Sequence, residues 1–453
     1  MIEYSSEKKS VWESFANRKE SIAEFARGYA AFLSEVKTER ECIAFAEARL
    51  AEQGIGISEG TFVKTLHKKC LFAARRGKKP LSEGLRLISA HADSPRLDFK
   101  QHPLTEAARI GQAKTHYYGG IHKYQWLARP LALHGVVVKK DGESVGIRIG
   151  EDPSDPVFTV ADLLPHLAHE QETKSVKEAF EAEKLNVIMG HEPLPGLGKE
   201  DAEQAVKANV LHLLHERCGI CEDDLYSAEI EAVPAGPARF VGLDRALIGA
   251  YGHDDRICVY TALRAFLDAE TPEYATAVIF WDKEEIGSDG STGASSEFFE
   301  YCVEDIAEMW GEGASARRVM LATRALSGDV HAATDPDWQD LHEPLNASLI
   351  GYGPTFCKFT GSRGKYGAND AHPEYIGWLR GVMDENGIPW QMAELGKVDH
   401  GGGGTVALFL ARYGMLVIDL GPAVLGMHSP FELASTADVY ATMLAYKAFF
   451  EAK

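Results

Sequence analysis

Residues 276–294, TAVIFWDKEEIGSDGSTGA, decide the fold. The run 277–281 is apolar, β-branched and aromatic, and it ends in polar, Gly-rich sequence, which reads as a buried strand. Glu284 and Glu285 follow just past its end. In open α/β sheets, ligands bind beyond the carboxyl ends of the strands. Adjacent side chains leave the backbone in different directions. Two neighbouring carboxylates therefore suit two tasks on one ligand, such as one holding a metal while the other moves a proton. On this stretch alone a solvated acidic turn ahead of a helix is the commoner meaning of such a pair, so the rest of the chain has to decide.

At 453 residues the chain exceeds the size at which a single core stops growing, and two domains are expected. Its 45% hydrophobic and 25% charged residues are those of an ordinary soluble globular protein. The formal charge of −20 argues against nucleic acid as a partner, because phosphate-backbone binding needs a clustered basic surface. The 7 cysteines are scattered and odd in number, so a disulfide framework is not expected. Cys218 and Cys221 have thioredoxin-like spacing, but a buried or idle thiol pair is the commoner case. The first residues lack the apolar core of a signal peptide and no run approaches a membrane span, so a cytoplasmic location is expected.

Residues 11–53 read as two helices, the second opened by a Thr38/Glu41 capping box and stopped at Gly54. LRLISA, residues 85–90, reads as a buried strand that ends in His91, Asp93 and Pro95. A histidine there can bind a metal while the Asp two residues on braces its ring. The texture then changes. Residues 135–149 form a β-hairpin around Asp141-Gly142, stretches 170–184 and 199–217 favour helix, and a short strand lies near 229–233. This α+β segment interrupts an α/β pattern, with boundaries near 103 and 240, giving a discontinuous domain 1–103 plus 241–453 around an insertion 104–240. Beyond it, GHDDR (252–256) precedes a helix carrying Val259, Leu263 and Phe266 on one face. Its Asp254 and Asp255 would ordinarily be an N-cap pair. Residues 319–336 read as an apolar strand ending in Asp329 and His331. Residues 359–370 and 396–407 are Gly-rich loops, and 415–432 hold a last strand followed by His428. Ser435 starts the closing helix, with Val439, Met443, Tyr446 and Phe450 on one face.

Five segments thus deliver His91, Asp254, Glu285, Asp329 and His428 just after a strand or just before a helix. A sheet that brings them to one edge would build a dinuclear site with one bridging carboxylate. Imidazole with carboxylate suits Zn²⁺, and also Mn²⁺ or Co²⁺. Glu284 is then left as the general base.

The ordered motifs HADSPRLDFK, HDDR, DKEEIGS, SGDVHAA, TGSRGK, KVDHGGGGT and MHS resemble the aspartyl aminopeptidase family of dinuclear zinc metallopeptidases, in its bacterial branch. The likeness runs from about residue 15 to the C-terminus. It implies an α/β metallopeptidase fold, an α/β/α sandwich catalytic domain with an inserted, mainly-β α+β dimerisation domain. It implies a zinc aminopeptidase whose first ion is held by His91, Asp254 and Asp329 and whose second is held by Asp254, Glu285 and His428. Asp254 bridges, Asp93 orients His91, Glu284 is the base, and the Asp254–Asp255 peptide is cis. It further implies a homo-oligomer, a dodecamer built from dimers, in which His166, or else His169, reaches a neighbouring active site. Lys358 would lie in the pocket for the first residue of a peptide and favour Asp or Glu there. HGGGGT stands where acid-specific members carry a Cys-Gly-Ser-Thr loop, and 119–131 follows the family's aromatic pattern loosely.

Other functions compete. A carboxypeptidase or N-acyl amino acid deacylase could use the same metal centre, but would need a cationic clamp for a substrate carboxylate. Phosphate binding by Gly361–Lys365 lacks the GxxxxGK[ST] spacing and a good helix start. An inactive shell protein would not fill every catalytic position. A glycosidase needs carboxyls ~5–9.5 Å apart across a bond, which adjacent glutamates provide poorly.

Overall fold

The computed structural model describes residues 9–196, 202–270, 272–310 and 313–453. The expected helical stretch 199–217 therefore begins outside the described residues. Two compact units are present. One comprises Met1–Asp93, Ala238–Met427 and Glu432–Lys453; the other comprises Ser94–Pro237 with His428–Phe431. The chain changes unit at 93/94 and 237/238, against expected changes near 103 and 240, and residues 102–103 lie inside the strand Arg96–Ala107.

The first unit is built on an eight-stranded sheet. Its middle consists of four parallel strands: β1 (Leu85–His91), β2 (Ala275–Trp281), β3 (Arg324–Ser327) and β4 (Leu416–Gly421), in the spatial order β2-β1-β3-β4. Both faces of β1 and β2 are buried, as continuous apolar runs require. Successive side chains go to opposite layers. Val278 and Phe280 join the core under the helices Lys19–Glu35, Glu39–Glu52, α1 (His253–Asp268) and α2 (Thr436–Glu451). Ala277, Ile279 and Trp281 join the core under Phe298–Met309 and Ala316–Ala322. The result is an α/β/α sandwich.

Register sets the site. Trp281 pairs with His91 and Ser327 with Ser89, so β2 and β1 end together, β3 ends two residues sooner, and the residues that follow them share one edge. The Thr38/Glu41 capping box forms as expected, and Ser435 caps α2 through the Ala437 N–H. The strand expected across 319–336 forms only in part. Residues 319–322 belong to the helix Ala316–Ala322, where Val319 and Met320 are buried while Leu321 is exposed, and β3 occupies four residues. A short apolar run does not by itself separate a buried strand from a buried helix turn.

The second unit is a six-stranded antiparallel sheet with the helix Ala205–Cys218 on it. The hairpin around Asp141-Gly142 is present, closed by Lys139–Glu143 backbone pairing. The expected helix over 170–184 is instead three short turns, His169–Glu172, Val176–Ala179 and Ala182–Lys184, whose residues are largely solvent-facing. Helical propensity without a face to bury does not sustain a longer helix. Among the described residues, no helix is long and apolar enough to cross a membrane.

Candidate metal centre

His91 is the last residue of β1 and is buried. Its backbone N–H donates to Asp255 Oδ2 at 3.2 Å, which fixes the strand end. Its Nδ1 lies 3.1 Å from the Asp93 carbonyl oxygen and 3.3 Å from Asp93 Oδ1. That bracing sets the tautomer and turns Nε2 outward, as a metal-ligating histidine requires. Nε2 sits 3.2 Å from Asp254 Oδ1 and 3.9 Å from Glu284 Oε2. Burial opposes the imidazolium, but Asp254, Asp93, Asp255 and Glu284 outweigh it, and His91 is held well above its ordinary range.

Asp93 also works on a second element. Its two carboxylate oxygens accept the backbone N–H groups of Glu284 and Glu285, each at 3.2 Å. One buried carboxylate therefore aligns the imidazole and the turn that carries both glutamates. The turn leaves β2 through Lys283, whose backbone is left-handed (φ 70°), and enters a short 3₁₀ turn, Glu284–Ile286.

Asp254 and Asp255 interrupt the start of α1 with non-helical torsions, and the peptide between them is cis, as the resemblance implies. Glu432 accepts the Asp254 N–H at 3.1 Å. Just ahead, Gly252 (φ +78°) has no room for a side chain, since a Cβ there would lie 1.5 Å from the Arg256 guanidinium. His253 points away from the cluster. Its Nδ1 lies 2.8 Å from the Tyr29 hydroxyl and its Nε2 lies 3.0 Å from the Ile248 carbonyl. Burial, against the Ile248 contact, takes it down to about 3, so it is neutral.

Asp329 follows β3. Gly421 at the end of β4 lets the chains approach, because a Cβ there would meet the Asp329 carbonyl at 2.0 Å. Burial, then Asp255, Asp254 and Glu284, push the Asp329 carboxyl well above its usual range, although His91 pulls the other way. Burial likewise raises Asp255, with Asp254 adding to it.

The sheet edge thus brings together five of the expected residues. Ligand atoms of His91, Asp254 and Asp329 lie within 4.8 Å of one another, and so do those of His91, Glu284 and Glu285. Carboxylates that raise one another's pKa at one imidazole form a donor set short of positive charge, and a divalent cation supplies it. The residues therefore fit a hard-to-borderline ion such as Zn²⁺.

His428 belongs to the second unit, in a left-handed conformation (φ 64°), with Nδ1 2.8 Å from the Gly120 carbonyl oxygen. A donor role for Nδ1 puts the lone pair on Nε2, which suits a ligand. His166 and His169 are exposed, at and just after the turn Pro165–Leu167. Lys358 does not match the buried, unpaired cation that acidic preference was expected to rest on. Its side chain is 39% exposed and pairs with Asp370 at 2.6 Å, and Lys365 pairs with the same carboxylate at 3.0 Å. The segment Gly361–Lys365 leads into no helix until Pro373, so it has no phosphate-cradling architecture. Instead, the two Gly-rich loops pair with each other, Gly361–Ser362 against Gly402–Gly403. Sequence reasoning gave Asp255 only a capping role and Glu432 none. No local signal marks Glu432, whose place follows from its register opposite Ala250.

A protein-family model described as aminopeptidase I zinc metalloprotease (M18) matches residues 32–450. A probable M18 family aminopeptidase 1 of Thermotoga maritima is 49% identical over 98% of this chain and 99% of its own length. The crystal structure of an M18 aminopeptidase from Thermotoga maritima superposes with a TM-score of 0.94 at 49% identity, covering 99% of this chain and 100% of that one. A more distant likeness, at 21% identity and a TM-score of 0.75 over 94% of this chain and 96% of that one, is the S. cerevisiae mApe1 dodecamer, which shares the fold.

Proposed function

Because this chain belongs to the aminopeptidase I zinc metalloprotease (M18) family and is a metallo-aminopeptidase, we propose that it works with two divalent ions and with Glu284 as its proton carrier. The observation that carries this reading is the clustering of His91, Asp254, Asp329, Glu284 and Glu285 at one sheet edge. His91, Asp254 and Asp329 would hold one ion. Asp254, Glu285 and His428 would hold the other, so Asp254 bridges. Zinc is the metal expected, with Co²⁺ or Mn²⁺ as substitutes. Ions there would supply Lewis acidity, making a water more acidic and a scissile carbonyl more electrophilic.

The chain's own groups do the rest. Asp93 keeps His91 Nδ1 occupied and aims the turn. Glu284 is left to take a proton from the attacking water and return it to the departing amine, a role worth about 10²–10⁴-fold in rate. The insertion would serve dimerisation, with His166 contributed to a neighbouring subunit and a dodecamer as the assembly.

Preference for N-terminal Asp or Glu rests, in this reading, on surplus charge. Lys358 and Lys365 share the single carboxylate of Asp370, and the triad keeps one positive charge for a substrate carboxylate. The metal reading is tested by exhaustive chelation and back-titration. Peptidase activity on aminoacyl anilides should vanish and return as about two zinc equivalents bind per chain. Full activity in verified metal-free protein, or full recovery with one equivalent, would reject it.

A further inference from the structure

The turn that carries Glu284 and Glu285 is closed at its base by three side chains. Lys283 Nζ donates to Thr292 Oγ1 at 2.6 Å and to Asp282 Oδ2, while the Thr292 hydroxyl donates to the same Asp282 oxygen at 2.7 Å. The Asp282 backbone N–H also donates to the Thr292 carbonyl at 3.2 Å. Asp282 and Thr292 are buried. Behind them the charges continue to alternate, with Lys69 Nζ 4.0 Å from Asp282 Oδ2 and 2.8 Å from the buried Glu39 Oε1.

Such a network is a poor source of stability. Desolvation of buried ions roughly cancels their attraction, and apolar replacements of similar volume are often no worse. A positional role accounts for it better. Lys283 is held left-handed, its carbonyl accepting the Ser288 N–H at 2.7 Å, and a non-glycine residue keeps that conformation only where its surroundings over-determine it. This reversal takes the chain off β2 and presents the N–H groups of Glu284 and Glu285 to Asp93. The turn is therefore gripped from two sides, by Asp93 at its front and by the triangle at its base.

We infer that Asp282, Lys283 and Thr292 form a clamp of positioning residues that fixes Glu284 for proton transfer and Glu285 for metal binding. This rests on the two-ion reading above. Loosening the clamp leaves substrate affinity in place while misplacing both glutamates. The test uses the full-length zinc-loaded enzyme with Thr292→Val, which keeps the shape and removes the hydroxyl, and Thr292→Ser, which restores it. Lys283→Met probes the second corner. Because displacements of about 1 Å at a reacting group cost up to about 10²-fold, Thr292→Val should lose about tenfold or more in kcat with KM within about twofold. It should also lose bound zinc faster than wild type on dialysis, measured by elemental analysis, and Thr292→Ser should recover most of both. A Thr292→Val protein that melts earlier but keeps wild-type kcat and zinc retention would overturn the inference, as would a Thr292→Ser protein as impaired as Thr292→Val. Should Lys283→Met fail to fold, the Thr292 pair still decides. Glu284→Gln separates this inference from the reading beneath it. An active Glu284→Gln defeats that reading, whereas an inactive one beside a wild-type-like Thr292→Val removes only the clamp.

Discussion

Glu284 and Glu285 are neighbours with different surroundings, and single substitutions should separate them. Glu284→Gln keeps the size of the side chain and removes the proton acceptor. It is expected to lower kcat by about 10²–10⁴-fold while elemental analysis still finds the wild-type metal content. Glu285→Gln should do the reverse first, losing metal before any intrinsic step is tested. If Glu284→Gln is the variant that loses metal, the two roles are exchanged. Lys358 presents a different case, because its ammonium already has Asp370 as a partner. Lys358→Ala frees Asp370 to pair with Lys365 alone and cancels the surplus charge of the triad. The ratio of kcat/KM for Asp-starting over Leu-starting peptides should then fall about tenfold, the value of one charge-assisted hydrogen bond. An unchanged ratio would take Lys358 out of the specificity argument.

Elements differ in how openly the sequence announces them. Three of the four parallel strands could be read directly, and β3 only in part, because a strand buried on both faces is written as a continuous apolar run. His91, Glu284, Glu285 and Asp329 could be found because each follows such a run. The helix Ala316–Ala322 was hidden inside an apolar stretch whose period is too short to separate helix from strand. The Asp93 grip on the Glu284–Glu285 turn and the Glu432 contact join segments distant in sequence, which local patterns do not encode. The Asp282–Lys283–Thr292 triangle closes within one loop, but its side-chain pairing has no periodic signature in the sequence. The first turn of α2 holds another such contact, with a consequence for stability. The buried Asp438 accepts the N–H groups of Gly351 at 2.6 Å and Gly353 at 2.8 Å. Burial nonetheless pushes its carboxyl up to about 7. The unfolded carboxyl has lost its proton by about pH 4–5, so between about pH 4 and 7 the native state binds the extra proton and stability falls as pH rises. In urea titrations, wild-type stability relative to Asp438→Asn should therefore decline from about pH 4 to about pH 7. A constant difference across that window would mean the carboxyl stays ionised.

At the scale of the whole molecule, the first unit carries the five clustered site residues, while the second carries His166 and His428. The proposed division of labour has the first unit doing the chemistry and the insertion building the assembly. An assembly in which one subunit's insertion completes another's active site makes activity a property of pairs of chains. His166 supports this reading by its setting. It is exposed, and Leu163, Leu164 and Leu167 beside it are also solvent-facing on an isolated chain. Leucines grouped on a short exposed turn are the composition of a surface that another protein covers. Pairs of inactive variants can test it. Glu284→Gln chains keep His166 but cannot move the proton; His166→Ala chains keep Glu284 but cannot supply the histidine. If His166 acts within its own chain, every site in a mixture contains one defect and the mixture stays inactive. If it acts across an interface, a site formed by the Glu284 of one chain and the His166 of its neighbour is intact. Equal mixing by co-expression should then return about a quarter of wild-type activity, because both partners at a site must be the right variant in a symmetric, freely mixed assembly. Two differently tagged chains purified in tandem establish that the oligomers are mixed. Activity in such verified mixtures no higher than in either variant alone would place His166 outside the neighbouring site.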